Sequence, residues 1–540
     1  MAFTVADYIL KRLSEQHVDT LFGVPAAYCA PLFDAAPAHG IKAVVTASDL
    51  EAGYAADGYA RTKGLAAVSV AYGVGSLSMI NAIAGAYVER IPVVVINGGP
   101  TDTNVANLHK FDIVFSHSIG QDATDLAAYK LVTASAARAA KPADVPGLVD
   151  KAIVTAIAKK RPVYVEINMS IWNSPCAMPA GPLVVTTPPA GTEKQLAASI
   201  VALIRAAQSP LILIGEEVQR YGLADKALDL ITKLGVRWAS TLLAKSTLAE
   251  QGPGWIGVYD PPHSQAAVQT AVEHADLLVT LGCVYPNGYA ALVSSAFGHM
   301  VQVYDGKVRI KTAAKQNAEI GALVSALVVE AGKAPPKAAP PGAVPVAPPP
   351  AAGALTYEQV FGCIGNALDS SLLAIPDTFL GVYSSANLPV KGRDAFLVSG
   401  VWASIGHSVS AAVGAFFGSS RRPLAICGDG GFHMTAQSLS TMVQHGAKPI
   451  VVVIANGIYG YEQDLVDPTF FTDPTRAPRP YVVLNSWDFV KFGEALGLTF
   501  VRSVATAAAL DTALADAKAF DGPALIAAQV DARGLPKELQ

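Results

Sequence analysis

Leu424-Ala-Ile-Cys-Gly-Asp-Gly-Gly431 is the stretch of this sequence that decides the fold. Its first half is a continuous apolar run, typical of a central strand in a parallel sheet, and the pattern of Thr435–His445 predicts a helix after it. Asp429 therefore stands at the carboxyl end of a strand, where open α/β sheets bind their ligands. The flanking glycines let a phosphate approach the backbone, and the carboxylate suits a hard cation such as Mg²⁺. The alternative for this motif alone is a tight turn between a strand and a helix.

A second apolar run, Ile450–Ile454, ends in Ala455-Asn456-Gly457. Asn456 follows Asp429 by 27 residues, which is the length of one strand-helix-strand crossover. Adjacent parallel strands would bring both side chains to one edge of the sheet. A carboxylate, an amide oxygen, a backbone carbonyl and two phosphate oxygens make a good octahedral shell for Mg²⁺.

The rest of the chain shows the same alternation of short apolar strands with longer helical patterns. Further strands are predicted at Val93–Ile96, Val163–Ile167, Leu211–Ile214 and Leu277–Leu281, and further helices at Val5–Glu15, Leu50–Thr62 and Ala197–Ala206. This rhythm predicts an α/β protein with three doubly wound parallel-sheet domains.

Two segments rich in proline divide the chain. Pro335 to Pro350 contains eight prolines and is typical of an extended, semi-rigid linker. Pro179 to Gly191 is a weaker boundary of the same kind. The predicted organisation is a first domain at 1–180, a central domain at 190–330, a linker at 331–352 and a last domain at 353–540. The first and last domains share a glycine-broken apolar stretch that leads into an alanine-rich helix, a weak sign of internal duplication.

Composition excludes several classes of protein. The 540 residues are 51% hydrophobic and 15% charged, so a disordered chain is excluded and a large buried fraction with subunit interfaces is expected. The net charge is −4 and no long basic run occurs, so no nucleic-acid partner is expected. The five cysteines are scattered without a Cys-x-x-Cys pair, and no signal peptide is visible, which predicts a cytoplasmic protein.

Gly64–Val88 is the longest uncharged stretch and the best candidate for a membrane span. Serines, an asparagine and two central glycines interrupt it, so a buried strand, a glycine turn and a buried helix explain it better. Phe396–Ser420 has the same character. No membrane partner is therefore expected.

Glu51-Ala-Gly-Tyr-Ala-Ala-Asp-Gly-Tyr-Ala-Arg61 is the second segment that indicates chemistry. Glu51 falls in the first turn of an apolar helix, where an acid can simply favour the helix dipole. In such surroundings its carboxyl group would also have a raised pKa and could exchange a proton near pH 7.

Gly428-Asp429-Gly430 with Asn456 resembles the thiamine diphosphate motif of the thiamine-dependent decarboxylase superfamily. The helix that begins at Glu51 is similar to that of the pyruvate and indolepyruvate decarboxylases, and Tyr72–Asn81 resembles their glycine turn. The resemblance spans the whole chain in the order pyrimidine-binding, central and diphosphate-binding domain.

The resemblance implies thiamine diphosphate and Mg²⁺ as cofactors, with the metal held by Asp429, Asn456 and the main chain of Ile458. It implies catalytic roles for Glu51, which activates the cofactor, for His117, and for Glu462, which assists decarboxylation and product release. The residues implied in cofactor binding are Gly428, Asp429, Gly430, Gly431, Thr378, Asn456, Ile458, Tyr459 and Ile405, the last of which holds thiamine in its bent form.

The sequence departs from this family in the expected substrate pocket. Ala27 stands where the classical decarboxylases carry an aspartate, and Ser116 replaces the first of two adjacent histidines, so that His117 alone remains. The first residue of the usual asparagine pair is Ala455. The pocket is expected to contain Ala27, Tyr28, Ser116, His117 and Tyr461. The proton that completes the reaction would then come from another group, such as His117, Tyr28 or Tyr461, or a carbonyl acceptor would take its place.

Three functions follow from these observations. The first is a non-oxidative decarboxylase that converts a 2-oxo acid into an aldehyde and CO₂, and the second is a carboligase or carbon–carbon lyase that uses an aldehyde acceptor. The third is a non-enzymatic relative, which the retained Glu51, Asp429, Asn456 and Glu462 argue against. In the family the cofactor lies between subunits, so a homodimer or homotetramer is expected.

Overall fold

The computed structural model describes residues 2–335, Gly342 and residues 354–540, and most of the predicted linker at 331–352 lies outside these residues. The described residues form three sheets, one in each predicted domain. The predicted fold class of three doubly wound α/β domains is confirmed, with one difference in the central sheet.

The first domain contains a six-stranded sheet in which every pairing is parallel. Its strands are β1 (Thr20–Gly23), β2 (Lys42–Val45), β3 (Ala66–Ser69), β4 (Val93–Gly99), β5 (Ala136–Ala139) and β6 (Val163–Asn168), and its helices are α1 (Val5–Glu15), α2 (Ala30–Ala35), α3 (Asp49–Lys63), α4 (Val74–Val88), α5 (Asp102–Phe111), α6 (Thr124–Val132) and α7 (Val145–Lys159). The strand order is β2-β1-β3-β4-β6-β5. Successive side chains point to opposite faces, so Leu21 packs with α1 and α7 while Phe22 packs with α3 and α4.

The central domain contains a seven-stranded sheet in the order β13-β12-β11-β10-β7-β8-β9. Its strands are β7 (Pro210–Ile214), β8 (Arg237–Thr241), β9 (Trp255–Tyr259), β10 (Leu277–Leu281), β11 (Met300–Tyr304), β12 (Lys307–Ile310) and β13 (Gln316–Asn317), and its helices are α8 (Glu193–Ala206), α9 (Glu216–Arg220), α10 (Ala224–Leu234), α11 (Ala266–Glu273), α12 (Ala290–Ala296) and α13 (Ile320–Ala331). The last two strands pair antiparallel, because a two-residue turn after β11 leaves no room for a crossover helix. This edge of the sheet is the part that the prediction of a parallel sheet missed.

The last domain contains a five-stranded parallel sheet in the order β14-β15-β16-β18-β17. Its strands are β14 (Leu372–Pro376), β15 (Arg422–Gly428), β16 (Ile450–Ala455), β17 (Phe500–Val504) and β18 (Ala524–Gln529), and its helices are α14 (Tyr357–Ala367), α15 (Val382–Ser385), α16 (His407–Gly418), α17 (Asp429–Thr435), α18 (Ser438–His445), α19 (Gly460–Val466), α20 (Phe489–Ala495) and α21 (Ala507–Ala519). Short 3₁₀ helices lie at Ala36–His39, Pro142–Asp144, Asn287–Tyr289, Phe297–His299, Pro468–Phe471, Pro480–Val482 and Lys537–Leu539. The helix predicted at Thr435–His445 was wrong at its start, because Thr435 ends α17 and bonds to the carbonyl of Gly406 at 2.7 Å.

The stretch Gly64–Val88 forms strand β3, a turn at Gly73 and helix α4, as predicted. Among the described residues, none of the helices combines the length and the apolar character that a membrane crossing needs. When β2 is set aside, the first sheet has the same strand order as the last sheet. This topology agrees with the sign of internal duplication in the sequence.

Helices α3 and α16 cross in close contact and join the first domain to the last. A Cβ atom on Gly414 would lie 1.7 Å from the carbonyl oxygen of Ala55, and one on Gly58 would lie 2.2 Å from that of Ala411. Any larger residue at these two positions would force the helices apart. One continuous apolar core spans this crossing and includes side chains of both domains.

Candidate active site

Three neighbouring strands of the last domain end at one edge of the sheet, and each is followed by a polar residue. Asp377 follows β14, Asp429 follows β15, and Asn456 follows β16. The predicted meeting of Asp429 and Asn456 at one edge is therefore what the structure has. The Asp429 carboxylate accepts a hydrogen bond of 2.7 Å from the backbone N–H of Gly457, the residue after Asn456.

The oxygen atoms at this edge fit a hard cation. Asp429 is buried, and burial raises the pKa of its carboxyl group to about 6, although N–H groups of Gly457 and Gly430 oppose the shift. No Lys, Arg or His of the described part of the chain lies within ion-pair distance of it, so a bound cation would balance its charge. The Asn456 amide oxygen accepts from the N–H of Ile458 at 3.2 Å. The Asp429 carboxylate and the Asn456 amide oxygen are thus oxygen donors of the kind that Mg²⁺ takes, and the Ile458 carbonyl accepts from the N–H of Gly460 at 2.9 Å.

Gly430 and Gly431 form the first turn of α17 directly after Asp429. The ring of Tyr459 covers Gly430 so closely that a Cβ atom there would lie 2.3 Å from it. Gly428 precedes the helix in an extended conformation. These predicted cofactor-binding residues therefore lie together, and the N–H of Gly430 donates to the Asp429 carboxylate at 3.0 Å.

Asp377 is a site residue that the sequence reasoning missed. Its buried carboxylate accepts from the N–H of Gly406 at 3.0 Å and from the hydroxyl of Ser408 at 2.8 Å, and the N–H of Thr378 bonds to it at 2.7 Å. It therefore fixes the backbone at the predicted cofactor residue Thr378 and directly after the predicted cofactor residue Ile405. The signal was available, because Asp377 follows an apolar strand just as Asp429 does.

Ile405 lies in a loop that contacts the first domain as well. The hydroxyl of Ser404 is 2.5 Å from that of Tyr54, which lies one turn after Glu51 on α3. Upstream in the same loop, the N–H groups of Val401 and Trp402 donate to the buried carboxylate of Glu89 at 2.8 and 2.9 Å. The loop that carries Ile405 is thus positioned by both domains.

Arg61 forms ion pairs with two buried carboxylates, one of which, Glu89, also binds this loop. It bonds to Asp57 at 2.6 Å and to Glu89 at 2.5 Å, and it donates to the carbonyl of Val398 at 2.8 Å. Asp57 also contacts His407 of α16 at 2.7 Å. Burial would raise the pKa of Asp57, but the charges of Arg61 and His407 more than offset it and hold the pKa well below its usual range.

Glu51 lies at the carboxyl edge of the first sheet, in the first turn of α3. Ser48 caps this helix by accepting from the N–H of Glu51 at 3.2 Å. The Glu51 side chain is fully buried, its Oε2 atom accepts from the N–H of Ala47 at 2.9 Å, and its Oε1 atom has no partner. Burial raises its pKa to about 7 against the opposing influence of nearby polar groups, of which the Thr441 hydroxyl is the largest. A buried carboxyl group with one free oxygen and this pKa can exchange a proton at neutral pH.

The predicted pocket residues of the first domain also lie together. The rings of Tyr28 and His117 are 5.6 Å apart, and Tyr28 stacks on Tyr72 at 5.9 Å. The Tyr28 hydroxyl donates to the backbone carbonyl of Ser116 at 2.8 Å. Ala27, Ser116 and His117 are exposed in the single chain.

Tyr461 and Glu462 lie in the first turn of α19, a few residues after Asn456 in sequence. Glu462 is exposed, whereas Tyr461 is half-buried and its hydroxyl is 3.0 Å from that of Tyr383. Glu51 follows β2 of the first sheet, and Asp429 follows β15 of the last sheet. Within one chain, the site residues therefore lie on two sheet edges, one in the first domain and one in the last.

Comparisons with known proteins identify the class of these domains. The thiamine pyrophosphate enzyme N-terminal TPP binding domain matches residues 3–121, the central domain matches residues 197–328, and the C-terminal TPP binding domain matches residues 380–528. Thiamine pyrophosphate is another name for thiamine diphosphate. An X-ray structure of a Mycobacterium smegmatis protein, proposed to be a thiamin diphosphate-dependent enzyme, shares the fold with a TM-score of 0.77 at 21% identity and covers 99% of this chain and 100% of that one.

The curated relatives carry a more specific name. The alpha-keto-acid decarboxylase of Mycobacterium tuberculosis is 32% identical over 510 residues, which cover 92% of this chain and 88% of that protein. The enzyme of the same name from Mycolicibacterium paratuberculosis is 30% identical and covers 95% of this chain and 91% of that protein. The chain therefore belongs to the thiamine pyrophosphate enzymes, in the family of the 2-oxo acid decarboxylases.

Proposed function

We propose that this protein is a thiamine diphosphate- and Mg²⁺-dependent decarboxylase that converts a 2-oxo acid into an aldehyde and CO₂. The observation that carries the proposal is the buried carboxyl group of Glu51, which has one unpartnered oxygen and a pKa of about 7. The oxygen-rich edge at Asp429 supports it, and so do relatives that are named alpha-keto-acid decarboxylases. The chain keeps the implied catalytic residues Glu51, His117 and Glu462.

Each part of the site has a separate task in this reaction. Thiamine diphosphate, when bound, supplies the electron sink for cleavage of the bond between C1 and C2 of the substrate. Asp429, Asn456 and the Ile458 carbonyl would hold Mg²⁺ beside its phosphate groups. Glu51 would hold a proton near neutral pH and could exchange it with the bound cofactor ring, since its pKa is about 7.

The first-domain edge adds the substrate pocket. The stacked rings of Tyr28 and Tyr72, with the tilted ring of His117 beside them, would form one apolar wall for the bound acid. Ala27 brings neither charge nor bulk to this pocket, which favours substrates with aromatic or branched apolar side chains.

A second candidate function is the carboligase or lyase reaction, which joins two carbonyl compounds or cleaves the product. The observation that favours it is the loss of proton donors in the pocket, where Ala27 and Ser116 offer neither a carboxyl group nor an imidazole. Without a fast proton donor, a carbonyl acceptor has more time to react. The two functions differ only in whether a proton or an aldehyde completes the reaction.

The functional unit of the proposal is a dimer or a dimer of dimers with the cofactor between two chains. Glu51 and Asp429 lie on separate edges of one chain, so a second copy would bring the two kinds of edge together. An apolar patch beside the pocket supports this assembly, because Val114 and Ile119 are 58% and 65% exposed and flank Ser116 and His117.

Incubation with thiamine diphosphate, Mg²⁺ and a panel of aliphatic and aromatic 2-oxo acids tests the function. The acids are offered with and without an added aldehyde, and CO₂, free aldehyde and acyloin are measured. Free aldehyde as the main product supports the decarboxylase, whereas acyloin as the main product supports the carboligase. No CO₂ and no acyloin from any member of the panel would contradict both.

Sedimentation of the double variant Val114→Asp, Ile119→Asp tests the assembly. We expect it to be monomeric and to bind thiamine diphosphate more weakly than the wild type. Leu131→Asp is the matched control, since Leu131 is also exposed on the first domain but lies outside the patch. A double variant that keeps the wild-type mass and affinity would show that this patch is not the interface.

A further inference from the structure

One face of α4 in the first domain contacts the loop that precedes α16 in the last domain. Asn81 and Gly85 lie on α4, and Glu89 follows its last residue. Their spacing of four residues places all three on one side of the helix. The loop at 399–405 lies against this side and carries Ile405, the residue implied in bending the cofactor.

The side-chain amide of Asn81 binds this loop through both its oxygen and its nitrogen. Its Oδ1 atom accepts from the indole N–H of Trp402 at 2.8 Å, and its Nδ2 atom donates to the hydroxyl of Ser404 at 3.2 Å. The same Nδ2 atom donates to the Tyr54 hydroxyl at 3.0 Å, and that hydroxyl is 2.5 Å from the one of Ser404. One amide of the first domain therefore holds the residues on both sides of Ala403.

The rest of this helix face fits the loop as well. A Cβ atom on Gly85 would lie 2.9 Å from a carbon atom of the Trp402 ring, so the missing side chain makes room for the indole. One turn further, the Glu89 carboxylate accepts from the Ser399 hydroxyl at 3.1 Å, in addition to the N–H groups of Val401 and Trp402. Asn81 thus completes a contact that extends over two turns of helix.

Ala403 has a backbone conformation that residues other than glycine rarely adopt. Its φ is 55°, in the left-handed region, and its side chain is exposed. A residue in this conformation costs free energy, and it persists where its surroundings hold it, as they do at ligand-binding segments. The bonds from Asn81 to Trp402 and Ser404 supply this restraint on either side of Ala403.

The loop ends at the same edge of the last sheet as Asp429. Gly406 follows Ile405, and a Cβ atom on Gly406 would lie 3.1 Å from the carbonyl oxygen of Gly431. Gly431 belongs to the first turn of α17, directly after Asp429. The position of Ile405 is therefore set from two sides, by the Asp429 edge after it and by Asn81 of the first domain before it.

We propose that Asn81 is a positioning residue for the cofactor, which acts by holding the loop of Ile405 in the conformation that binds the thiamine rings. The inference rests on the proposed function, which supplies the cofactor and the contact of Ile405 with it. The diphosphate end of the cofactor is assigned to other groups, at Asp429 and Asn456. Loss of the Asn81 amide therefore weakens binding of the thiamine rings and spares binding of the diphosphate.

Asn81→Ala, Trp402→Phe and the double variant, each in the full-length protein, test this assignment. Asn81→Ala removes the amide, whereas Trp402→Phe removes the indole N–H and keeps a ring beside Gly85. Asn366→Ala is the matched control, because it makes the same change at an exposed position of helix α14. Hydrogen exchange of the loop amides is measured without cofactor. The Kd values for thiamine diphosphate and for inorganic diphosphate are measured with Mg²⁺, and the mass is measured by sedimentation.

Asn81→Ala is expected to bind thiamine diphosphate about 10-fold more weakly, a loss of the size that hydrogen bonds contribute, and inorganic diphosphate as tightly as the wild type. Without cofactor, the N–H groups of Val401 and Trp402 should exchange about 10-fold faster, while the mass stays that of the wild type. Trp402→Phe should show a smaller effect of the same kind. The double variant should lose little more than Asn81→Ala, because both changes break the same contact.

Two results would overturn the assignment. One is an Asn81→Ala protein that binds thiamine diphosphate as tightly as the wild type or whose loop amides exchange at the wild-type rate. The other is a parallel weakening of thiamine diphosphate and inorganic diphosphate binding, or a change of mass, which indicates a role in the fold or the assembly. Failure of the proposed function has a different signature, since the wild type itself would then release no CO₂ from any 2-oxo acid.

Discussion

Glu51→Gln tests whether the buried carboxyl group of Glu51 holds its proton near neutral pH. Burial raises the pKa of this group from 4.5 to about 7. One pKa unit corresponds to about 1.4 kcal/mol, so the fold disfavours the charged form of Glu51 by about 3 kcal/mol. Because the folded pKa lies above the unfolded one, the neutral side chain contributes its full stability below pH 4.5 and loses it as the pH rises through 7. The Glu51→Gln variant has no such loss.

The measurement follows the proton directly. The infrared band of a protonated carboxyl group, taken as the difference between wild type and Glu51→Gln, should disappear with a midpoint near pH 7. As the pH rises from 4.5 to 7, the free energy of unfolding of the variant should increase by about 3 kcal/mol relative to that of the wild type. Turnover of the variant should fall at least about 100-fold at all pH values, because the proton that Glu51 exchanges is missing.

Glu166→Gln is the matched control for this experiment. Glu166 is also fully buried, and burial raises its pKa to about 7, but it lies on β6 behind the pocket and has no assigned role. Its replacement should remove a similar infrared band and leave turnover close to that of the wild type. A Glu51 band that is absent at pH 5, or full turnover of Glu51→Gln, would refute the reasoning about this residue.

Three further predictions concern the edge of the last sheet at Asp429 and the contact between the first and last domains. Asp429→Asn should weaken Mg²⁺ binding in calorimetry more than about 100-fold, and the wild-type affinity should fall below pH 6, where this carboxyl group takes up a proton. Gly414→Ala should destabilise the protein by at least about 1–3 kcal/mol, because its Cβ would clash with the carbonyl oxygen of Ala55. Gly147→Ala lies in open space on α7 and should stabilise the protein by about 0.5–1 kcal/mol. Equal denaturation midpoints for the two variants would contradict this prediction. Arg61→Met leaves two buried carboxylates unpaired and should lower the free energy of unfolding by about 3–5 kcal/mol in the same assay. A loss no larger than that expected for breaking an exposed ion pair would contradict this prediction.

The strand ends could be predicted from the sequence because they obey a local rule. An apolar run followed by Gly-Asp-Gly or by Asn-Gly marks the carboxyl end of a buried parallel strand, and one crossover separates the two motifs. The rule needs no knowledge of the rest of the chain, and it placed Asp429 and Asn456 at one edge. The rule did not find Asp377, because Pro376 and Thr378 flank it in place of glycines, although its strand is as apolar as that of Asp429.

The surroundings of Tyr461 could not be predicted in this way. Tyr461 itself was predicted as a pocket residue, but no motif marks Tyr383, whose hydroxyl is 3.0 Å from that of Tyr461, or His263, whose ring lies 4.2 Å from that of Tyr383. Their contact depends on how α15 and α19 pack and on where a loop of the central domain ends. The sequence pointed to missing proton donors at Ala27 and Ser116, but it gave no sign that these side chains of the central and last domains meet.

The two similar halves of the chain differ by one strand, and that strand accounts for the buried position of Glu51. Without β2, the first sheet repeats the strand order of the last sheet. The added strand ends at Val45, whose carbonyl is 2.9 Å from the His445 ring of α18, and it leads through a three-residue connection into α3. This connection places Glu51 under α18, away from water, where its pKa rises toward neutrality. In the described part of the last domain no such strand lies at the corresponding edge. The two proposed roles, proton exchange at Glu51 and metal binding at Asp429, therefore fall on the sheet with this strand and on the sheet without it.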